Sequence, residues 1–253
     1  MKSFLFSGMF FLLVSMSCLN ISQAQEALPV PVGKVVWIKG TLKAIMPNKE
    51  ERKLQKSSVI YLNDTLMTDT ESQAQVIFTD HSLMTFRAET QFYIDQYQYQ
   101  PKAKKGSVGK YVMKLIEGGF RTITGLIAKN NPNDYQVNTP VATIGVRGTD
   151  YTVYVRGKEV FVGFYEGTPC VKNAAGSLCL DNKDKYARVS SASLAPVPLT
   201  QQPAVFKEKL EIVPAKITPF TTEGASGGTT GGTTGSTPPN RGGSGTVSNF
   251  CIT

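Results

Sequence analysis

Asn138 to Tyr151 reads Asn-Thr-Pro-Val-Ala-Thr-Ile-Gly-Val-Arg-Gly-Thr-Asp-Tyr, an apolar run broken by a proline near its start and an Arg-Gly-Thr corner near its end. Pro140 fixes its own φ and pushes Thr139 towards extended conformations, so the strand ending in Tyr135-Gln-Val-Asn-Thr terminates or jogs there. Val141, Ile144 and Val146 then enter a core. Gly145 and Gly148 permit positive φ or close backbone approach, which sets Arg147 at a bend before the alternating run Tyr151-Thr-Val-Tyr-Val. A guanidinium beside a glycine in an apolar stretch either closes the sheet end by pairing with a carboxylate or carbonyls, or recognises an anionic ligand. Because unpaired buried charge is very costly, the expectation is a structural corner made of Thr139, Pro140, Gly145, Arg147, Gly148 and Thr149.

Working outward, Val32 to about Val189 is a succession of short Val/Ile/Phe/Tyr-rich runs punctuated by Gly, Asn and Asp, the pattern of an all-β domain. Gly33-Lys-Val-Val-Trp-Ile-Lys-Gly40 alternates; Ala74-Gln-Val-Ile-Phe-Thr79 passes an Asp80-His-Ser turn into Leu83-Met-Thr-Phe86; Gln91-Phe-Tyr-Ile-Asp95 leads to a lysine-rich loop. Tyr111 to Ile116 precedes Gly118-Gly119-Phe120-Arg121, and Glu159 to Tyr165 precedes Glu166-Gly167. Roughly 160 residues suffice for one core. Beyond Ser190, residues 191–222 read as a proline-rich connector in which only Ala204–Leu210 has the makings of a short helix. Residues 223–253, with Gly-Gly-Thr-Thr repeats, have too few apolar side chains to offset the entropy of ordering and read as a disordered tail.

At the other end, Lys2 precedes a mostly apolar run from Phe4 to Val14, and Ser22-Gln-Ala24 supplies the small residues that a signal peptidase reads. Residues 1–24 are therefore expected to be a cleaved signal peptide, leaving 25–190 as the domain. Lipid attachment at Cys18 is disfavoured because no aliphatic residue stands in the Ser15-Met-Ser17 positions before it. No later stretch is apolar enough to span a bilayer, so a periplasmic or secreted protein with no transmembrane segment in the mature chain is expected. Cleavage removes one lysine and no acid, lowering the formal charge from +8 to +7. That excess favours anionic partners, an envelope glycan or an acidic protein face, and an exported chain seldom meets nucleic acid. Lys102, Lys104, Lys105 and Lys110 form the densest basic cluster; it reads first as a solvated hairpin loop and second as a recognition loop.

Of the four cysteines, Cys170 and Cys179 are placed to pair across a hairpin in which Asn173 faces Gly176, and an exported chain permits a disulfide. Cys251 is left over: a free thiol, a link to another chain, or a rival partner for that bridge. The spacing is not that of a metal site, and His81, the sole histidine, is distant. No metal or cofactor is expected. Catalysis has little to stand on: there is no nucleophile elbow, Gly106-Ser-Val-Gly-Lys110 lacks P-loop spacing, and Asp181-Asn-Lys-Asp184 is too short for a calcium loop. The remaining enzymatic alternative is a cell-wall or glycan-active site built from the turn-adjacent carboxylates Asp80, Glu117 and Glu166.

Thr139 to Thr149 closely resembles the signature of FecR domains. Gly33-Lys-Val, Asn63-Asp-Thr-Leu-Met-Thr68, Ala74 to Asp80 and Gly118-Gly-Phe-Arg-Thr-Ile-Thr-Gly125 resemble the family's preceding blocks in order, over roughly residues 32–167. The resemblance implies a twisted, solenoid-like stack of short strands and a module that binds rather than catalyses. The family's regulators carry a cytoplasmic sigma-factor-holding segment and a membrane helix, neither of which is expected here. The implied function is a stand-alone exported binding or scaffold module with an unidentified envelope partner.

Overall fold

The computed structural model describes residues 29–100 and 109–215. Its first strands are β1 (Pro31–Lys39), β2 (Leu42–Ile45), β3 (Glu51–Leu54), β4 (Val59–Tyr61), β5 (Thr65–Thr68), β6 (Gln73–Phe78), β7 (Leu83–Phe86), β8 (Gln91–Tyr99) and β9 (Gly109–Ile123). After the short helix α1 (Leu126–Asn130) come β10 (Tyr135–Asn138), β11 (Thr143–Gly145), β12 (Asp150–Arg156), β13 (Glu159–Glu166), β14 (Cys170–Asn173), β15 (Gly176–Cys179), β16 (Tyr186–Val189) and β17 (Val197–Leu199). The domain is all-β, as its alternation implies.

The strands join one 17-stranded sheet folded over as two layers. Layer A runs β4, β1, β6, β7, β9, β12, β13, β16, β17. Layer B runs β3, β2, β5, β8, β9, β10, β11, β14, β15. From β10 onwards, hairpins alternate between the layers, and the Asn138–Tyr151 stretch is the crossing from β11 in B to β12 in A. Inward rings fasten the layers together. Phe92 of B lies 5.0 Å from Phe86 and 5.7 Å from Phe120, both of A, and Phe78 of A lies 5.0 Å from Tyr111 of B. Each fully buried ring is worth about 2–3 kcal/mol of transfer free energy.

β9 is central to both layers. Residues up to Glu117 pair within B, and from Gly118 onwards the strand pairs with β7 and β12 of A. Gly118 makes the change of layer with φ +75°, a value that costs any residue with a Cβ. A Cβ there would stand 2.5 Å from Glu89 O and from Thr90 Cα, and one on Gly119 would stand 2.5 Å from Val153 O. The sequence break between Ile116 and Phe120 is thus a fold within one strand.

The C-terminal boundary differs from the expected one at residue 190. β17 pairs with β16, the Ala204–Phe206 segment is a 3-10 turn, and Phe206 and Leu210 are buried, 1% and 2% exposed. Residues 204–213 cross the outer surface of layer A as a strap, whose anchors are only two apolar side chains and so escape a compositional reading. The residues beyond 215, the expected signal peptide and Lys102, Lys104 and Lys105 lie outside the described residues, as do Cys18 and Cys251.

The β9 corner generates a quantitative expectation. Gly118→Ala combines a left-handed backbone with a collision against main chain and is expected to cost about 3 kcal/mol or more in urea unfolding. Gly157→Ala has φ +59° but no atom within 4 Å of the new Cβ, and is expected to cost about 1 kcal/mol. Equal effects of the two would contradict the corner's steric role.

Candidate functional site

Strand alternation and register put one residue from each strand into transverse rows on the two outer surfaces. On layer A the row is Trp37, Gln75, Thr85, Arg121, Thr152, Gly163, Tyr186, Leu199. Arg121 is its centre. Its Nε and Nη2 donate to Asp150 Oδ1 and Oδ2 at 2.9 and 2.7 Å, its Nη1 donates to Leu210 O of the strap at 2.8 Å, and its guanidinium lies 4.3 Å from the Tyr165 ring centre. Burial alone would lower the Arg121 pKa; the hydrogen bonds and charge of Asp150 outweigh it and hold the group above its usual range. The paired arginine sought by the sequence reading is therefore Arg121, twenty-six residues before Arg147.

Arg147 itself is exposed and makes no ion pair, hydrogen bond or ring contact among the described residues. Its neighbours do the structural work. Thr139 Oγ1 donates to Ala142 O at 2.7 Å, Thr149 N donates to Thr124 Oγ1 at 2.8 Å, and Gly148 supplies the bend with φ +56°. Gly145 has open space where a Cβ would stand, so close approach does not explain that glycine.

On layer B the corresponding row is Glu51, Ile45, Thr65, Tyr93, Lys114, Asn138, Thr143, Lys172, Ser177. Its side chains bond each other or adjoining strands: Thr143 Oγ1 donates to Asn138 Oδ1 at 2.9 Å, Tyr93 Oη to Asn63 Oδ1 at 3.3 Å, and Lys114 Nζ lies 3.1 Å from Asp95 Oδ2. No described segment is hydrogen-bonded across this row as the strap is across layer A. At the end where β8 finishes and β9 and β10 begin, Lys110 faces Gln98, and a groove of about 420 Å³ is lined by Leu62, Asp95, Gln96, Tyr97, Gln98 and Lys110. β11 runs antiparallel to β10, so it leads Arg147 to that same end. The exposed Lys129 of α1 approaches the corner, its Cγ 3.8 Å from where a Cβ on Gly148 would stand.

The disulfide is formed between Cys170 and Cys179, on the outer surface of B, with Asn173 opposite Gly176 as the spacing implied. Asn173 Oδ1 accepts from Ala175 N and Gly176 N and shapes the tip.

The three carboxylates of the enzymatic alternative are not brought together. Asp80 is fully buried; its Oδ1 accepts from Ser82 N at 3.1 Å and Ser82 Oγ at 2.5 Å, while its amide donates to Tyr97 Oη at 2.8 Å. Desolvation pushes its pKa up against those hydrogen bonds. Glu166 lies opposite Asp150 at one end of β12, whereas Glu117 precedes Gly118, which faces Val155. Five residues at 3.3 Å put them roughly 17 Å apart, beyond the span of about 5–9.5 Å that paired glycosidase carboxylates use. His81 is exposed at a turn with φ +74°. Among the described residues no three His, Cys, Asp or Glu side chains are grouped to hold a metal.

Residues 64–168 match the family described as FecR protein. The similarity to a FecR domain is confined to this region. The region includes the β9 corner, Arg121, the uncovered strands β10 and β11, and Arg147. A solved structure from Parabacteroides distasonis ATCC 8503, provisionally designated an anti-sigma factor, is similar at 14% identity and a TM-score of 0.42, covering 54% of this chain and 59% of that one. The present chain thus spans less than two thirds of that protein's length. No curated protein matches the chain.

Two expectations attach to these groups. Arg121→Ala strands Asp150 beside the strap and is expected to cost about 3 kcal/mol, with Arg121→Ala/Asp150→Ala recovering part of it in a double-mutant cycle. Additive losses would contradict the pairing. For Asp80, a raised folded pKa means that the native state holds the proton more tightly than the unfolded one. The carboxyl's stability contribution is greatest below its ordinary 3.8 and is lost as pH rises towards the raised value. The stability of wild type relative to Asp80→Asn is therefore expected to increase as pH falls from 7 towards 4, read from urea midpoints; a constant difference would contradict it.

Proposed function

We propose that the protein is a non-catalytic binding module of the bacterial cell envelope, exported by removal of residues 1–24. It engages an anionic partner, an envelope glycan or an acidic protein face, through the outer surface of layer B and the basic end formed by Arg147, Lys110 and Lys129. The contrast between the layers carries this reading: the strap crosses one outer row, while no described segment crosses the other, where Lys114, Lys172, Ser177 and Glu51 are exposed. An exposed, unpaired guanidinium held on a rigid corner is suited to bidentate recognition of carboxylate or phosphate. The Cys170–Cys179 disulfide supports an oxidising compartment. Among the described residues no helix is long and apolar enough to cross a membrane. The enclosure of Asp80 and the separation of Glu117 from Glu166 weigh against the glycan-active alternative.

The test is titration of the mature protein with purified peptidoglycan fragments and with a polyuronate at low and physiological salt. Arg147→Ala and Lys172→Ala are expected to melt within about 0.5 kcal/mol of wild type, as exposed substitutions do, and to weaken binding about fivefold or more, with a shallower salt dependence. Variants that melt early yet bind normally once folded would return Arg147 to a structural role. Sustained turnover of either glycan would overturn the non-catalytic reading.

A further inference from the structure

The strap is held on layer A mainly through its main chain. Gln75 Nε2 donates to Val213 O at 2.6 Å and its Oε1 accepts from Val213 N at 2.8 Å, a paired contact of the kind one strand makes with another. Thr85 Oγ1 donates to Glu211 O at 3.1 Å, Arg121 Nη1 to Leu210 O at 2.8 Å, and Arg87 Nη2 to Glu208 O at 2.6 Å. Side chains contribute the two anchors. Phe206 sits against Tyr186, ring centres 6.2 Å apart, over a seat left open by Gly163; a Cβ on that glycine would stand 2.8 Å from the Tyr186 ring and 3.4 Å from Phe206. Leu210 is the second anchor. Gln75 and Thr85, 0% and 1% exposed, are polar groups on an outer sheet surface whose burial and satisfaction depend on the strap. The surface is therefore built to receive a peptide that turns at one apolar residue and runs on to a second, four residues later.

We propose that this surface also receives the strap of a second copy of the chain, so that two molecules exchange residues 204–213 and associate through the contacts that each makes alone. The strap is the one occupant whose fit is visible residue by residue, and it hangs from β17 by Thr200–Pro203 alone. Four extended residues reach about 13 Å, so exchange sets the two β17 edges side by side. β17 is an edge strand, and Pro198 offers no N–H there. A short hinge raises the effective concentration of a molecule's own strap to the order of millimolar, so the closed monomer dominates in dilute solution and exchange follows when a strap is unseated or copies are crowded. The surface is distinct from layer B and gives the module a homotypic contact on its opposite side.

The test is complementation between two full-length variants. Phe206→Ser/Leu210→Ser leaves the surface intact and its own strap unseated; Gln75→Ala/Arg87→Ala leaves the strap intact and its seat damaged, with Gly163→Leu replacing it if that variant does not melt cooperatively. Leu210→Ser alone replaces the first on the same criterion. Each is expected to be monomeric by light scattering and their equimolar mixture to double in mass, with the doubling abolished by excess synthetic peptide 204–215. Cooperatively melting variants whose mixture stays monomeric at about one tenth of the millimolar effective concentration would overturn the proposal.

Discussion

The fold of β9 at Gly118 is the constraint from which the rest follows. The strand lies in the middle of both layers, with four strands beyond it on either side in each, so the position of every other strand is referred to that corner. Only a residue without a Cβ tolerates φ +75° with Thr90 and the Glu89 carbonyl packed against it. Once β9 doubles back, Phe92 meets Phe86 and Phe120, and the alternating residues of both halves are sorted into one shared interior and two outer surfaces.

Those outer surfaces have opposite fates. On layer A the row contains a buried glutamine, a buried threonine and a guanidinium, groups that would be costly against apolar cover and are satisfied because an extended main chain lies over them. The Arg121–Asp150 pair fixes the fork that points one N–H at Leu210 O. On layer B the row is exposed at Glu51, Lys114, Lys172 and Ser177 and half-buried between them, with Asn138 and Thr143 bonded to each other, and it needs no cover. The same alternation thus yields a sealed surface and an available one, and the signature crossing from β11 to β12 delivers Arg147 to the end of the available one.

What was legible in the sequence follows from where the physics is local. Alternation located β1, β6, β7, β8 and β13, and hairpin spacing placed Asn173 opposite Gly176 and joined Cys170 to Cys179. β3, Glu-Arg-Lys-Leu, was hidden because as an edge strand it buries one side chain, Leu54. The strap was hidden because its binding is carried by carbonyls and amides, which composition does not record. The paired arginine was hidden for a similar reason: Arg121 and Arg147 each stand next to glycine-rich apolar sequence, and only the fold sets Asp150, which pairs with Ile123, diagonally within reach of the former. The alternation of Phe120 and Thr122 inward had already put Arg121 outward, but nothing local said that a later segment would cover it.

The central claim, that layer B is the working surface, is tested most directly by scanning a photo-crosslinking residue over both outer surfaces of the full-length protein in intact cells. Substitution at Lys114, Thr143 and Lys172 on layer B is compared with Tyr154 and Arg156 on layer A. The account predicts crosslinked products to one recurrent partner or glycan from the layer B positions, and from the layer A positions none beyond a second copy of the chain. The reverse pattern, with that partner or glycan captured from Tyr154 and Arg156 alone, would contradict it.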